Sequence, residues 1–144
     1  MTTSNTSDVY TSEYPPDSSV PESLKEFLKH YYTTVDIPGN HEVYATCFAQ
    51  DAHLVAHGHE WSGRNALREL HKGMWDGIKG RVHMPLKVFP FGGGEHKYEL
   101  MISGTLEYDK TDGTSERKDM AVRGKYAKNG AVWEITYLQV WLTP

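Results

Sequence analysis

The stretch from Arg81 to Leu142 constrains the fold most. Arg81 to Phe91 sets Val82, Met84, Leu86 and Val88 against other residue types. Lys97 to Tyr108 does the same with Tyr98, Leu100, Ile102, Leu106 and Tyr108, and Asp119 to Ala127 with Met120, Val122 and Tyr126. Ala131 to Leu142 is a final run of the same kind. A period of two is that of a β-strand with one buried face. Gly92-Gly93-Gly94, Asp112-Gly113 and Asn129-Gly130 separate the runs. Such pairs accept the positive φ angles of tight hairpin turns, so the runs should pair as an antiparallel meander.

The preceding segment has helical spacing. Pro21 can open a helix, where its missing N–H does no harm. Leu24, Phe27, Leu28, Tyr31 and Val35 then mark one apolar stripe. Ile37-Pro38-Gly39 ends it. Asn40 is placed to cap a short second helix carrying Val43, Tyr44, Cys47 and Phe48. His53 to Trp61 reads as a strand pair or bent strand. Ser62 then reads as the N-cap of a third helix with Leu67, Leu70, Met74, Trp75 and Ile78 on its stripe, ended near Gly77 and Gly80. Residues 1–20, rich in Ser, Thr and Asp with Pro15-Pro16, should be a disordered or draped tail, to which Tyr10 and Tyr14 could add contacts. Residues 21–144 are then one α+β domain: a curved, mostly antiparallel sheet wrapped around three helices, with a central pocket.

In the last strand, alternation sets Trp133, Ile135, Tyr137 and Trp141 against Val132, Leu138, Val140 and Leu142, so both faces are largely apolar. One face should meet the helices and the other a second copy, giving a homodimer through the outer face of the C-terminal strands.

Composition excludes several classes. The chain has 144 residues and a formal net charge of −4. Its cations are scattered, so neither nucleic acid nor a membrane is an expected partner. No apolar run is long enough to span a bilayer. The first residues fit neither a signal nor a transit peptide. Cys47 is the single cysteine, which suits a reducing, cytoplasmic setting and a plain core role.

Several residues could carry chemistry. Asp36 ends the first helix, where the helix dipole disfavours a carboxylate, so its placement invites a functional reason. Partly buried, it could act as acid or base. His83 lies on a strand, opposite in phase to Val82 and Met84. His57 and His59 flank Gly58 and would share a strand face; one could enter the pocket, and a metal site is the less favoured reading. Arg123 alternates away from Met120 and Val122 and could hold a carbonyl or enolate oxygen. Tyr32, Trp75, Tyr137 and Trp141 could line an aromatic wall. His41, His71 and His96 read as surface groups. Gly92-Gly93-Gly94 precedes no phosphate-binding helix, and no motif implies an organic cofactor.

The segments Tyr31-Tyr32 through Asp36, Phe48-Ala49-Gln50-Asp51-Ala52, Ser62-Gly63-Arg64-Asn65-Ala66-Leu67 and Gly130-Ala131-Val132-Trp133-Glu134-Ile135 resemble the SnoaL-like branch of the nuclear transport factor 2-like superfamily. The resemblance spans roughly residues 22 to 142 and implies a cone-shaped barrel with a deep pocket. In the dehydratase branch, typified by scytalone dehydratase, an aspartate and a histidine stand at positions similar to Asp36 and His83. That branch adds a second strand histidine and pocket tyrosines. Here Met101 and Ser103 stand on the neighbouring strand instead, and Val35 replaces a tyrosine. The expected function is a cofactor-independent isomerase, cyclase or lyase acting on a hydrophobic, oxygenated small molecule such as a polyketide- or terpenoid-like intermediate. Asp36, His83 and His57 would be catalytic; Tyr32, Trp75, Met101, Ser103, Arg123, Tyr137 and Trp141 would contact substrate. The alternative is a non-catalytic binding or dimerisation module of the same fold.

Overall fold

A computed structural model describes residues 9–144. The elements run α1 (Glu22–Val35), α2 (His41–Thr46), β1 (Phe48–Ala56), β2 (His59–Ser62), α3 (Gly63–Gly73), β3 (Ile78–Gly93), β4 (Lys97–Lys110), β5 (Ser115–Asn129) and β6 (Val132–Leu142). The strands form one six-stranded sheet in the order β2-β1-β6-β5-β4-β3. The β1–β6 pair is parallel, because the chain crosses from one edge of the sheet to the other through α3; the remaining pairs are antiparallel. The sheet is open, with β2 and β3 at its edges. No helix among the described residues is long and apolar enough to cross a membrane.

The helices and the inner face of the sheet share one apolar core. Leu24, Leu28 and Val35 of α1 pack in the same cluster as Leu100, Ile102, Val122 and Ile135 of the sheet. Of the stripe expected for α1, Leu24, Leu28, Tyr31 and Val35 are buried and Phe27 is partly buried; Tyr32 and Thr34 are buried with them. Three local expectations change. Asn40 and Ser62 occupy N-cap positions without a side-chain capping bond; the Ser62 hydroxyl instead meets His53 Nδ1 at 2.9 Å. The third helix stops at Gly73, so Trp75 follows it and Ile78 opens β3.

Bulges change the faces that simple alternation assigns. In β6, Ile135 pairs with Tyr126 while Tyr137 pairs with Lys125, leaving Thr136 as an extra residue. An inserted residue moves the pleat out of phase by one. Trp133 and Ile135 therefore share the inner face with Leu138, while Tyr137 and Trp141 turn outward with Val132. In β3, Pro85 pairs with Gly104 and Lys87 with Ser103, so Leu86 is extra. Leu86 is exposed and Val88 buried, against the expectation that they share a face. The bulge brings the β3 backbone close to β4: a Cβ on Gly104 would lie 2.1 Å from the Met84 carbonyl oxygen.

Residues 9–20 run over the β3 edge of the sheet. The Glu13 N–H donates to the Leu86 carbonyl at 2.8 Å, and the Val88 N–H donates to the Glu13 carbonyl at 3.0 Å. The Tyr98 hydroxyl donates to the Ser19 carbonyl at 2.7 Å. This arm occupies backbone groups that an edge strand would otherwise leave open. The remainder of the expected tail, residues 1–8, lies outside the described residues.

Candidate active site

Asp36 is the C-cap residue of α1. The helix has ended there, so its side chain can turn toward β3, and only 4% of that side chain is exposed. Three donors meet the carboxylate. His83 Nδ1 lies 2.6 Å from Oδ1, the His83 backbone N–H donates to Oδ2 at 2.7 Å, and the Tyr10 hydroxyl donates to Oδ2 at 2.8 Å. An ionised carboxylate only accepts, so the tautomer of a neutral His83 that fits this contact has its proton on Nδ1 and its lone pair on Nε2. The pair joins residues far apart in sequence, and Tyr10 comes from the arm that crosses β3.

The His83 side chain is 15% exposed and lines a cavity of about 190 Å³ between the helices and the inner sheet face. Most of the wall is apolar, with Leu54, Leu70, Met74, Leu106 and Val140 among the contributors. Tyr32 also lines it, its ring centroid 5.8 Å from that of His83. Burial first, and the Asp36 charge second, raise the Tyr32 pKa, so its phenol keeps its proton. Burial and the bond to Asp36 do the same for Tyr10.

His57 borders the cavity from the β1–β2 turn. Ala56 pairs with His59 across that turn, and His57 and Gly58 have φ of 53° and 76°. Two positive φ angles in a two-residue loop are those of a type I′ hairpin. The expectation that His57 and His59 share a strand face is therefore corrected: His57 is in the turn, and the exposed His59 opens β2. Among the described residues no group of three or more His, Cys, Asp or Glu side chains is arranged to hold a metal ion.

The other expected substrate contacts lie elsewhere. Met101, Ser103 and Arg123 are out of phase with the buried Ile102 and Val122, and Met101 and Arg123 are cross-strand partners on the outer face. Arg123 Nε donates to Glu99 Oε2 at 2.7 Å, and this partner raises its pKa. Tyr137, turned outward by the β6 bulge, has the Arg123 guanidinium 5.7 Å from its ring. Trp141 is 46% exposed. Trp75 borders a more open cleft beside Asp36, outside the cavity.

Two residues near the site escape a strand-by-strand reading. Arg81 lines the cavity two residues before His83; the signal was available, because residues two apart share a strand face. His71, expected at the surface, is fully buried. Its ring stacks on Tyr44 at 4.6 Å, and its Nε2 lies 3.1 Å from the carbonyl oxygen of Val35, the residue before Asp36. Its Nδ1 lies 2.9 Å from Nδ1 of His41. With Nε2–H donating to the carbonyl, Nδ1 accepts from His41. Burial is the main cause lowering the His71 pKa, which keeps the ring neutral. His71 thus anchors the end of α1 from which Asp36 projects. Cys47 is a buried thiol whose pKa burial pushes up to about 12, in keeping with a core role.

No family model and no curated protein matches the sequence. Solved structures match the fold. A candidate scytalone dehydratase from Novosphingobium aromaticivorans superposes with a TM-score of 0.68 at 18% identity, over 85% of this chain and 83% of that one. LinA superposes with a TM-score of 0.76 at 13% identity, over 85% of each chain. Aln2 from a Streptomyces species gives 0.71 at 14% identity, over 83% of this chain and 87% of that one. A Nostoc punctiforme protein described as having a cystatin-like fold gives 0.69 at 18% identity. The chain therefore shares the α+β fold of these structures, one of them described as cystatin-like, in keeping with the fold that the resemblance implied. At these identities the likeness is one of fold, and chemistry has to be argued from the site.

Proposed function

We propose that this protein is a cofactor-independent lyase, isomerase or cyclase that moves protons on a hydrophobic, oxygenated small molecule. The observation that carries this reading is the short Asp36–His83 pair set into the wall of an apolar cavity. His83 Nε2 takes a proton from carbon beside a carbonyl. Asp36 holds the ring in the required tautomer and stabilises the imidazolium that forms, as the carboxylate does in a Ser-His-Asp triad. The imidazolium then returns the proton to a leaving hydroxyl, giving elimination and water, or to another carbon, giving isomerisation. Tyr32, a protonated phenol near His83, can donate to the developing oxyanion. Asp36 itself is screened from the cavity by its donors, so the proton carrier is His83 and Asp36 positions it. Neighbours of the same fold that are described as a candidate scytalone dehydratase and a hexachlorocyclohexane dehydrochlorinase are in keeping with a lyase. A natural-product intermediate as substrate and a cytoplasmic setting belong to the same proposal.

The test is incubation in D2O with apolar β-hydroxy and α,β-unsaturated carbonyl compounds, read by mass spectrometry for deuterium uptake or loss of water. We expect His83→Ala to lower a detected rate by about 100-fold or more and Asp36→Asn by at least about 10-fold, the range of positioned acid–base catalysis. Unchanged rates in both variants would falsify these roles. The competing reading, a non-catalytic binding module, predicts ligand retention without turnover in the wild type.

A further inference from the structure

Arg81 is the charged group that the acid–base reading leaves unused. The chain has five arginines. Four are paired with carboxylates: Arg64 with Glu134, Arg68 with Glu42, Arg117 with Glu107 and Arg123 with Glu99. Arg81 alone has no carboxylate partner among the described residues, and it is the arginine that lines the cavity. Its one hydrogen bond is from Nη1 to the Met74 carbonyl at 2.7 Å. Its guanidinium lies 5.1 Å from the Trp75 ring and 5.7 Å from that of Tyr108, its cross-strand neighbour. These contacts hold the side chain while leaving most of its N–H donors unused. Arg81 also lines the outer cleft, which Asp36, Glu107 and Asp109 border; the Asp36 charge bears on it, but none of the three forms an ion pair with it. Burial lowers the Arg81 pKa, the mark of a cation short of compensating charge.

We propose that Arg81 binds a carboxylate on the substrate, so that the molecule entering the cavity is an apolar body bearing an acid group at one end. A guanidinium meets a carboxylate through two parallel hydrogen bonds, which fixes orientation as well as charge. Arg81 and His83 share a strand face with roots about 7 Å apart. A carboxylate held at Arg81 therefore sets a C–H a few bonds away against His83. This rests on the reading that the cavity takes a small-molecule substrate, and it narrows the class of that substrate.

The probes are 2-naphthoate and its neutral isostere 2-naphthamide. The cavity, about 190 Å³, exceeds the roughly 150 Å³ that admits benzene, so a fused ring with its acid group at the wall is a suitable size. Titration calorimetry should show the wild type preferring naphthoate by at least about 10-fold. Arg81→Met should abolish the preference and keep naphthamide binding, with the fold checked by circular dichroism. Arg81→Lys should retain a reduced preference, since an ammonium supplies charge without the planar fork. His83→Ala should retain the preference in full. Absence of any preference in the wild type, its survival in Arg81→Met, or an undiminished preference in Arg81→Lys would each overturn the assignment. Those results concern binding alone. Failure of the acid–base reading shows separately, as unchanged turnover in His83→Ala.

Discussion

Asp36 and His83 illustrate how much a single contact can organise. Asp36 stands where a helix dipole disfavours negative charge, and the donors it gathers from Tyr10 and His83 offset that placement. Behind it, His71 holds the Val35 carbonyl and so the last turn of α1. His71 also makes the fold sensitive to pH. Its folded pKa is lowered, mainly by burial, so as pH falls the unfolded chain takes up this proton first. The associated stability is complete above the ordinary histidine value and is lost as pH falls from there to the lowered folded value. We expect the wild-type melting temperature to fall between about pH 8 and about pH 5.5, and His71→Gln to melt lower at pH 8 but with a flatter pH profile. Parallel profiles for the two proteins, measured by calorimetry, would contradict this account.

At the scale of elements, bulges do most to place side chains. Besides register shifts at the two ends of β3, between Ile78 and Gly80 and between Pro90 and Gly92, Thr136 in β6 and Leu86 in β3 are extra residues in their ladders. The first turns Tyr137 and Trp141 away from the cavity; the second draws β3 onto Gly104. A methyl at Gly104 would collide with the Met84 carbonyl, and a backbone atom in a paired ladder has little room to retreat. Gly104→Ala should therefore lose about 1–3 kcal/mol in chemical denaturation. A variant as stable as the wild type would mean that the bulge is softer than its geometry implies. Neither bulge is legible in sequence. Thr136 and Leu86 suit a regular strand, and only pairing with the next strand shows that one residue is left over. The I′ turn at His57-Gly58 was closer to legible, because Gly58 invites positive φ and histidine is among the residues that tolerate it.

For the whole molecule, the helices cover one face of the sheet and leave the other partly apolar. Phe89, Met101 and Trp141 are exposed there at 50%, 36% and 46%. We propose that a second copy covers this face. A stable interface needs about 800 Å² from each partner, an area that such a sheet face can supply. Sedimentation of the wild type should give the mass of a dimer, and Trp141→Glu should shift it toward the monomer without loss of folded signal. A monomeric wild type at micromolar concentration ends this proposal.

The order of elements, the α1 stripe, the hairpins and the inner positions of β4 and β5 follow from sequence alone. Period, turn chemistry and helix breakers act between near neighbours, and so leave their mark in the chain. Asp36 could be singled out in the same way, by its place at a helix end; His83 could be noted as a strand histidine, but alternation set it opposite Val82 and Met84, whereas the structure turns His83 and Arg81 to the cavity. The union of Asp36 and His83 could not be read, because 47 positions separate them and only the packing of α1 against β3 closes that gap. The same holds for Tyr10 on Asp36, for the burial of His71, and for Arg81 as the unpaired cation of the cavity. Sequence encodes which residues can carry chemistry; long-range packing decides which of them meet, and which charges are left for a ligand to complete.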